Sequence, residues 1–305
     1  VGYQSAYSNT TGERNTAVGR HSLYSNSTGS YNTSLGMNSL TSSTASNNTA
    51  LGYGTLFNAT TATNNTAVGV NALTNTTSSS NTAIGANAAQ SNTTGSIVAV
   101  GYEAGYSNST GTEITAIGHQ ALRNYTGIQS TALGHMAGYS MTTPSNNTVI
   151  GRSAAYSTTT GYSNTVLGRS ALYNNVGGSQ NVAVGINSLV NTTGNQNTAI
   201  GSYAGDSNTT GSNNIFIGQD SDGVAATDSN RTFIGNSSTT STWVGGNLLV
   251  GTTTDSGYKL DVNGDIRVSD SQADVLIIST TAGQASRLVL NTTTREWRIG
   301  THSGQ

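Results

Sequence analysis

The chain has 305 residues, a net charge of −2, 8% charged residues, 38 glycines, one proline and no cysteine. That balance excludes a disulfide scaffold and a cysteine-based zinc site, and it offers no basic stripe of the kind nucleic-acid binding requires. No run of about 18 apolar residues is present, so no membrane-spanning helix is expected.

The composition is rich in Ser, Thr and Asn, as in low-complexity linkers. Strict register of the aliphatic residues and the low net charge argue against disorder. Asn15-Thr16-Ala17-Val18-Gly19 returns as Asn32-Thr33-Ser34-Leu35-Gly36, then Asn48-Thr49-Ala50-Leu51-Gly52, and so on to Arg231-Thr232-Phe233-Ile234-Gly235. The glycines that close the phrase stand at 2, 19, 36, 52, 69, 85, 101, 118, 134, 151, 168, 185, 201, 218 and 235, so every interval is 16 or 17 residues. A short fixed period predicts a solenoid of about 15 coils over residues 1–236. The chain opens inside a repeat, as expected of a fragment or a processed product.

Within each phrase the residues alternate as a strand requires. The reading places Thr16 and Val18 on the inward face, so that Val18, Leu35, Leu51, Val68 and their successors to Ile234 form a buried apolar column. A second column lies four residues after the glycine, at Leu23, Leu40, Leu56, Leu73, Leu122, Leu172 and Leu189. Return turns such as Asn9–Gly12 and Asn26–Gly29 use residues that tolerate positive φ. Two strand legs of about five residues and two turns of about three would fill one coil. Such a core is thin and calls for a partner. The opposite strand face carries small residues, Ala17, Ala50, Ala67, Ala83, Ala99, Ala116 and Ala132, then coarsens to Val149, Val166, Phe216 and Phe233. This lane is expected to be an inter-subunit contact.

The repeated Thr-Ala-Val-Gly phrase with its Ser/Ala-Leu follower resembles the head repeats of trimeric autotransporter adhesins and, equally, collar and fibre repeats of tailed-phage fibre proteins. The resemblance implies a left-handed parallel β-roll, with three chains around one axis, making the small-residue lane the trimer contact. The coils here are longer than those of the usual autotransporter head.

After Gly235 the period dissolves. Residues 237–257 read as a transition linker and 258–305 as a β-hairpin-rich neck. Asn263-Gly264, flanked by Leu260, Val262, Ile266 and Val268, predicts a hairpin. Val275–Ile278, Arg287–Leu290 and Glu296–Ile299 predict further short strands. This stretch is similar to the segment that precedes the intramolecular chaperone of phage tail fibres.

Chemistry-bearing groups are sparse. Glu103 and Glu113 are the nearest approach to the carboxylate pair of a glycan-cleaving spike, but they occupy different coil positions. No catalytic residue, metal site or cofactor is expected. One residue past the glycine runs a lane of Tyr102, His119, His135, Arg152 and Arg169, where stacked cations suit an acidic ligand. Five residues past the glycine runs an aromatic lane with Tyr106, Tyr139 and Tyr156, a surface for sugars or for packing. Triplets at Asn9, Asn92 and Asn191 match glycosylation acceptors and read as turn chemistry.

The expected function is a phage tail-fibre segment, located on the virion or otherwise extracellular, that presents a rigid multivalent surface. Its expected partners are sister chains in a homotrimer and a host cell-surface glycan or protein, without nucleic acid or membrane insertion. Competing readings are a bacterial trimeric adhesin, an ice-binding solenoid built on ranks of Thr such as Thr16, Thr33 and Thr49, and a passive spacer. The inward placement of Thr weighs against the ice-binding reading.

Overall fold

The computed structural model describes residues 1–223, 225–239, 248–250 and 260–262. One compact unit spans residues 1–242 and a second spans 243–305.

The first unit is an all-β parallel solenoid without a helix among its described residues. Each coil contributes one short strand to a single 14-stranded sheet whose order follows the sequence. The first five strands have three residues each: β1 (Thr16–Val18), β2 (Thr33–Leu35), β3 (Thr49–Leu51), β4 (Thr66–Val68) and β5 (Thr82–Ile84). Three four-residue strands follow: β6 (Ile97–Val100), β7 (Ile114–Ile117) and β8 (Ser130–Leu133). The remainder are β9 (Thr148–Ile150), β10 (Thr165–Leu167), β11 (Val182–Val184), β12 (Thr198–Ile200), β13 (Ile215–Ile217) and β14 (Thr232–Ile234). Register is set by the phrase itself: Thr16 pairs with Thr33 and Val18 with Leu35.

The expected second strand leg is absent. Past each corner glycine the chain runs with φ positive at every second residue, as at Gly19 (+128°), His21 (+55°) and Leu23 (+55°). The alternation keeps peptide groups aligned along the stack, so hydrogen bonding between coils continues where there is no strand. His21 N–H donates to the Tyr3 carbonyl at 2.9 Å, and Leu23 N–H to the Ser39 carbonyl at 3.0 Å. Left-handed backbone costs a non-glycine residue about 1–2 kcal/mol. The inter-coil bonds offset this at roughly 0.5–1.5 kcal/mol each.

The alternation along the strand is as expected, but its phase is inverted. Ala50, Ala67, Ala83, Ala99, Ala116, Ala132, Val149 and Val166 are fully buried inside their own chain, and Phe216 is 1% exposed. Ala17 and Phe233, near the two ends, pack partly buried against the same core. None of the fully buried lane is left for a sister chain to touch, so it is not an intersubunit contact. The cause is width. The strand and the glycine-cornered leg lie so close that a Leu from the leg and an Ala from the strand fill the interior. Leu23, Leu40, Leu56, Leu73, Leu122, Leu172 and Leu189 all lie in that core, as expected. Where the leg carries glycine, another side chain grows into the space. A Cβ on Gly205 would meet the Phe216 ring at 2.7 Å, one on Gly105 the Ile97 Cδ1 at 2.6 Å, and one on Gly138 the Met141 sulfur at 2.6 Å.

Asparagine supplies the rest of the interior. Asn164 Oδ1 accepts the N–H of Asn181 at 2.9 Å, while its Nδ2 donates to the Gly178 carbonyl at 3.0 Å. The same two bonds recur at Asn32, Asn48, Asn181 and Asn197. This ladder satisfies backbone groups that a narrow dry core would orphan. It breaks at Ile97, Ile114 and Ser130, where the strands lengthen to four residues and Tyr125 enters the core fully buried.

In the second unit, β15 (Leu248–Val250) and β16 (Leu260–Val262) pair in parallel. The expected hairpin turn at Asn263-Gly264 and the strands expected at 275–278, 287–290 and 296–299 lie outside the described residues.

Candidate functional site

With alanine inside, the strand's other two positions face outward. Thr16, Thr33, Thr49, Thr66, Thr131, Thr148, Thr165 and Thr232 are exposed. The aliphatic lane beside them, expected to be the core, is on the surface: Val18 is 37% exposed, Leu133 45%, Leu167 47% and Ile234 55%. Val68, Val100, Ile117, Ile150 and Val184 in the same lane are half-buried. The outer sheet face is therefore two parallel ranks, threonine and aliphatic, carried by residues that the sequence alone assigned to the interior. A signal was available. The alanine lane enlarges to Phe216 where the leg shrinks to Gly205, a compensation of volume that only residues sharing one core need.

Around the glycine corner lies the cationic lane. His119, His135, Arg152 and Arg169 are all exposed. Tyr102 stacks on His119 with ring centroids 5.1 Å apart, and His119 on His135 at 5.0 Å. The structure thus brings these residues together as one rank, each side chain contributed by the next coil.

The aromatic lane is also a rank, but a self-satisfied one. Tyr139 stacks on Tyr156 at 5.2 Å and Tyr156 on Tyr173 at 5.1 Å, with the rings nearly parallel in both cases. Arg123 inserts into this column between Tyr106 (5.0 Å) and Tyr139 (6.0 Å). The faces of Tyr139 and Tyr156 are spent on ring neighbours and Arg123, so these two offer edges rather than sugar-binding platforms, while Tyr106 gives one face to Arg123. Arg123, missed in the sequence, also donates from Nε to Glu103 at 2.6 Å. That bond, with help from Gln120 and Tyr102 against a burial cost, holds the Glu103 carboxyl below its usual range. Glu113 instead accepts from Gln129 Nε2 at 3.1 Å. The two carboxylates have separate partners and do not form a matched acid and base. A depression of about 290 Å³ over Ser80, Ser96, Glu113 and the Ile97–Ile114 break is open and shallow.

Elsewhere Asp206 is raised, by burial first and then by its bond with Asp222. No group of three or more potential metal ligands exists among the described residues. Asn92, one of the three acceptor triplets, is fully buried in the turn stack. The class that fold and surface define is a parallel β-solenoid with one continuous apolar outer lane. Comparisons with protein-family models, with curated proteins and with solved structures returned no match.

Proposed function

We propose that the chain is a structural fibre segment whose copies associate through the threonine–aliphatic face and present the remaining faces to a host surface. The observation that carries this reading is the outward aliphatic lane, present in all of β1–β14. Soluble monomers rarely leave more than a few hundred Å² of contiguous apolar surface open. A rank running the length of the solenoid favours burial against an identical rank, in register along a common axis. Resemblance of the repeats to autotransporter heads and phage fibres implies three copies. Attachment by such a rod would gain from avidity, because each weak site recurs along the coils and around the axis. The test is the native mass of the full chain. A three-chain species is expected, and the combined Leu51→Lys, Leu133→Lys and Leu167→Lys variant should dissociate it. A monodisperse monomer of the unaltered chain would overturn the reading.

One observation favours a second reading. The threonines face solvent in a flat rank, so the objection to an ice-binding face no longer holds. Against it, the neighbouring lane mixes Val with bulkier Leu and Ile, which makes the face uneven in height. Thermal hysteresis of the purified protein separates the two: the fibre reading expects none, whereas hysteresis from a monomer would favour ice binding.

A further inference from the structure

We propose that the corner lane His119–His135–Arg152–Arg169 binds a linear anionic polysaccharide laid along the solenoid axis, about one acidic sugar per coil. This inference rests on the attachment role above and names the chemistry of the surface being gripped. Consecutive coils repeat at roughly 4.8 Å, close to the length of one pyranose unit in an extended chain. Four cationic or protonatable side chains therefore stand in a straight line at the spacing at which a polyuronate carries its carboxylates.

Among the described residues, no acidic side chain pairs with the lane. On its strand side lie Ile117, Leu133, Ile150 and Leu167, and on its other side Gln120, Met136, Ser153 and Ser170, none of them charged. Glu103, at the Tyr102 end, is already engaged by Arg123 at 2.6 Å. Among the described residues, no carboxylate lies within ion-pair distance of Arg152 or Arg169. Exposed like charges in consecutive coils repel, and an anionic chain replaces that repulsion with charge-assisted hydrogen bonds. Guanidinium groups suit carboxylates through two parallel N–H donors.

The geometry discriminates among anions. The four side chains stand exposed in one row, so a small anion would reach only adjacent groups and forgo the rest. Single-stranded nucleic acid needs free aromatic faces for its bases. Here His119 and Tyr156 are stacked on ring neighbours on both sides, Tyr139 lies between Tyr156 and Arg123, and Tyr102 stacks on His119. Duplex phosphates advance by about 3.4 Å per strand, out of step with the coils.

The experiment is calorimetric titration of the full chain with polygalacturonate, alongside dextran, galacturonate monomer and poly-uridylate. Saturable binding of polygalacturonate is expected, weakening steeply with added salt because the charges are exposed. Dextran and the monomer should not bind measurably, and poly-uridylate should bind more weakly. Arg152→Gln with Arg169→Gln should reduce affinity by about tenfold or more, through loss of two charge-assisted contacts. Arg20→Gln, a cation in the same lane but a distant coil, should leave affinity unchanged. Equal binding of dextran, tighter binding of poly-uridylate, an undiminished double variant or an equal loss from Arg20→Gln would each overturn the proposal. Native mass is measured on every variant. Unchanged mass with lost binding assigns the loss to the lane, whereas a changed mass bears on self-association. If the arginine variant changes mass, His119→Gln with His135→Gln carries the same test.

Discussion

A glycine at each corner is demanded twice over, by φ and by contact. Gly168 has φ +146°, and a Cβ there would lie 2.2 Å from the Gly185 carbonyl oxygen. Gly168→Ala is therefore expected to cost roughly 2–4 kcal/mol, measured by denaturant unfolding. Tyr125 makes a different point about single residues. Its Oη lies 2.6 Å from the Pro144 carbonyl and 2.6 Å from Ser130 Oγ, in a fully buried site. Burial pushes its pKa from 10.0 up to about 12, with the Ser130 bond opposing. The folded state then holds this proton more tightly than the unfolded chain does. Its contribution is complete below about pH 10 and is lost as pH rises toward about 12, some 2–3 kcal/mol in all. Tyr125→Phe should flatten that part of the alkaline stability profile. An unchanged slope would mean that the hydroxyl ionises freely in the folded protein.

At the scale of the coil, asparagine does what a wider solenoid would do with apolar side chains. Asn164 serves three bonds at 1% exposure, accepting from Asn181 and donating to Gly178 while its own N–H reaches Asn147 Oδ1 at 2.8 Å. Asn164→Ala would orphan the Asn181 N–H and take one of two donors from the Gly178 carbonyl, which keeps Asn175 Nδ2 at 2.8 Å, and should destabilise by about 1–3 kcal/mol. Asn174, exposed and with its side chain bonded to Asn191, provides the contrast: Asn174→Ala should stay within about 0.5 kcal/mol. Both asparagines look alike in a Thr- and Asn-rich sequence. The repeat, the corners, the strand phrase and the leucine column were legible because each depends on spacing alone. The ladder was not, because an asparagine that bonds a neighbouring coil and one that caps a turn use the same local pattern. The second leg was misread as a strand for a related reason. Alternating positive φ at residues such as His21, Leu23 and Leu40 has no compositional mark outside glycine and asparagine.

For the whole molecule, the decisive matter is which strand face looks outward. Period two determined that Val18 and Ala17 oppose one another, but not which of them the coil encloses. That choice depends on the distance between strand and return leg, a property of the closed coil rather than of any one phrase. The inversion moves the expected subunit contact from alanine to the aliphatic lane, and the cationic residues His119, His135, Arg152 and Arg169 each stand two residues beyond it, across the corner glycine. Because the chain has no cysteine, single thiols report the faces directly. Leu133→Cys and Ala132→Cys should be labelled with a thiol reagent before and after dissociation, and each should be oxidised to test for links between copies. The Leu133→Cys thiol is expected to react in the dissociated chain, to be protected in the assembly and to cross-link copies on oxidation, while the Ala132→Cys thiol stays inert in both states. A reactive or cross-linking thiol at 132, with 133 inert, would contradict the account.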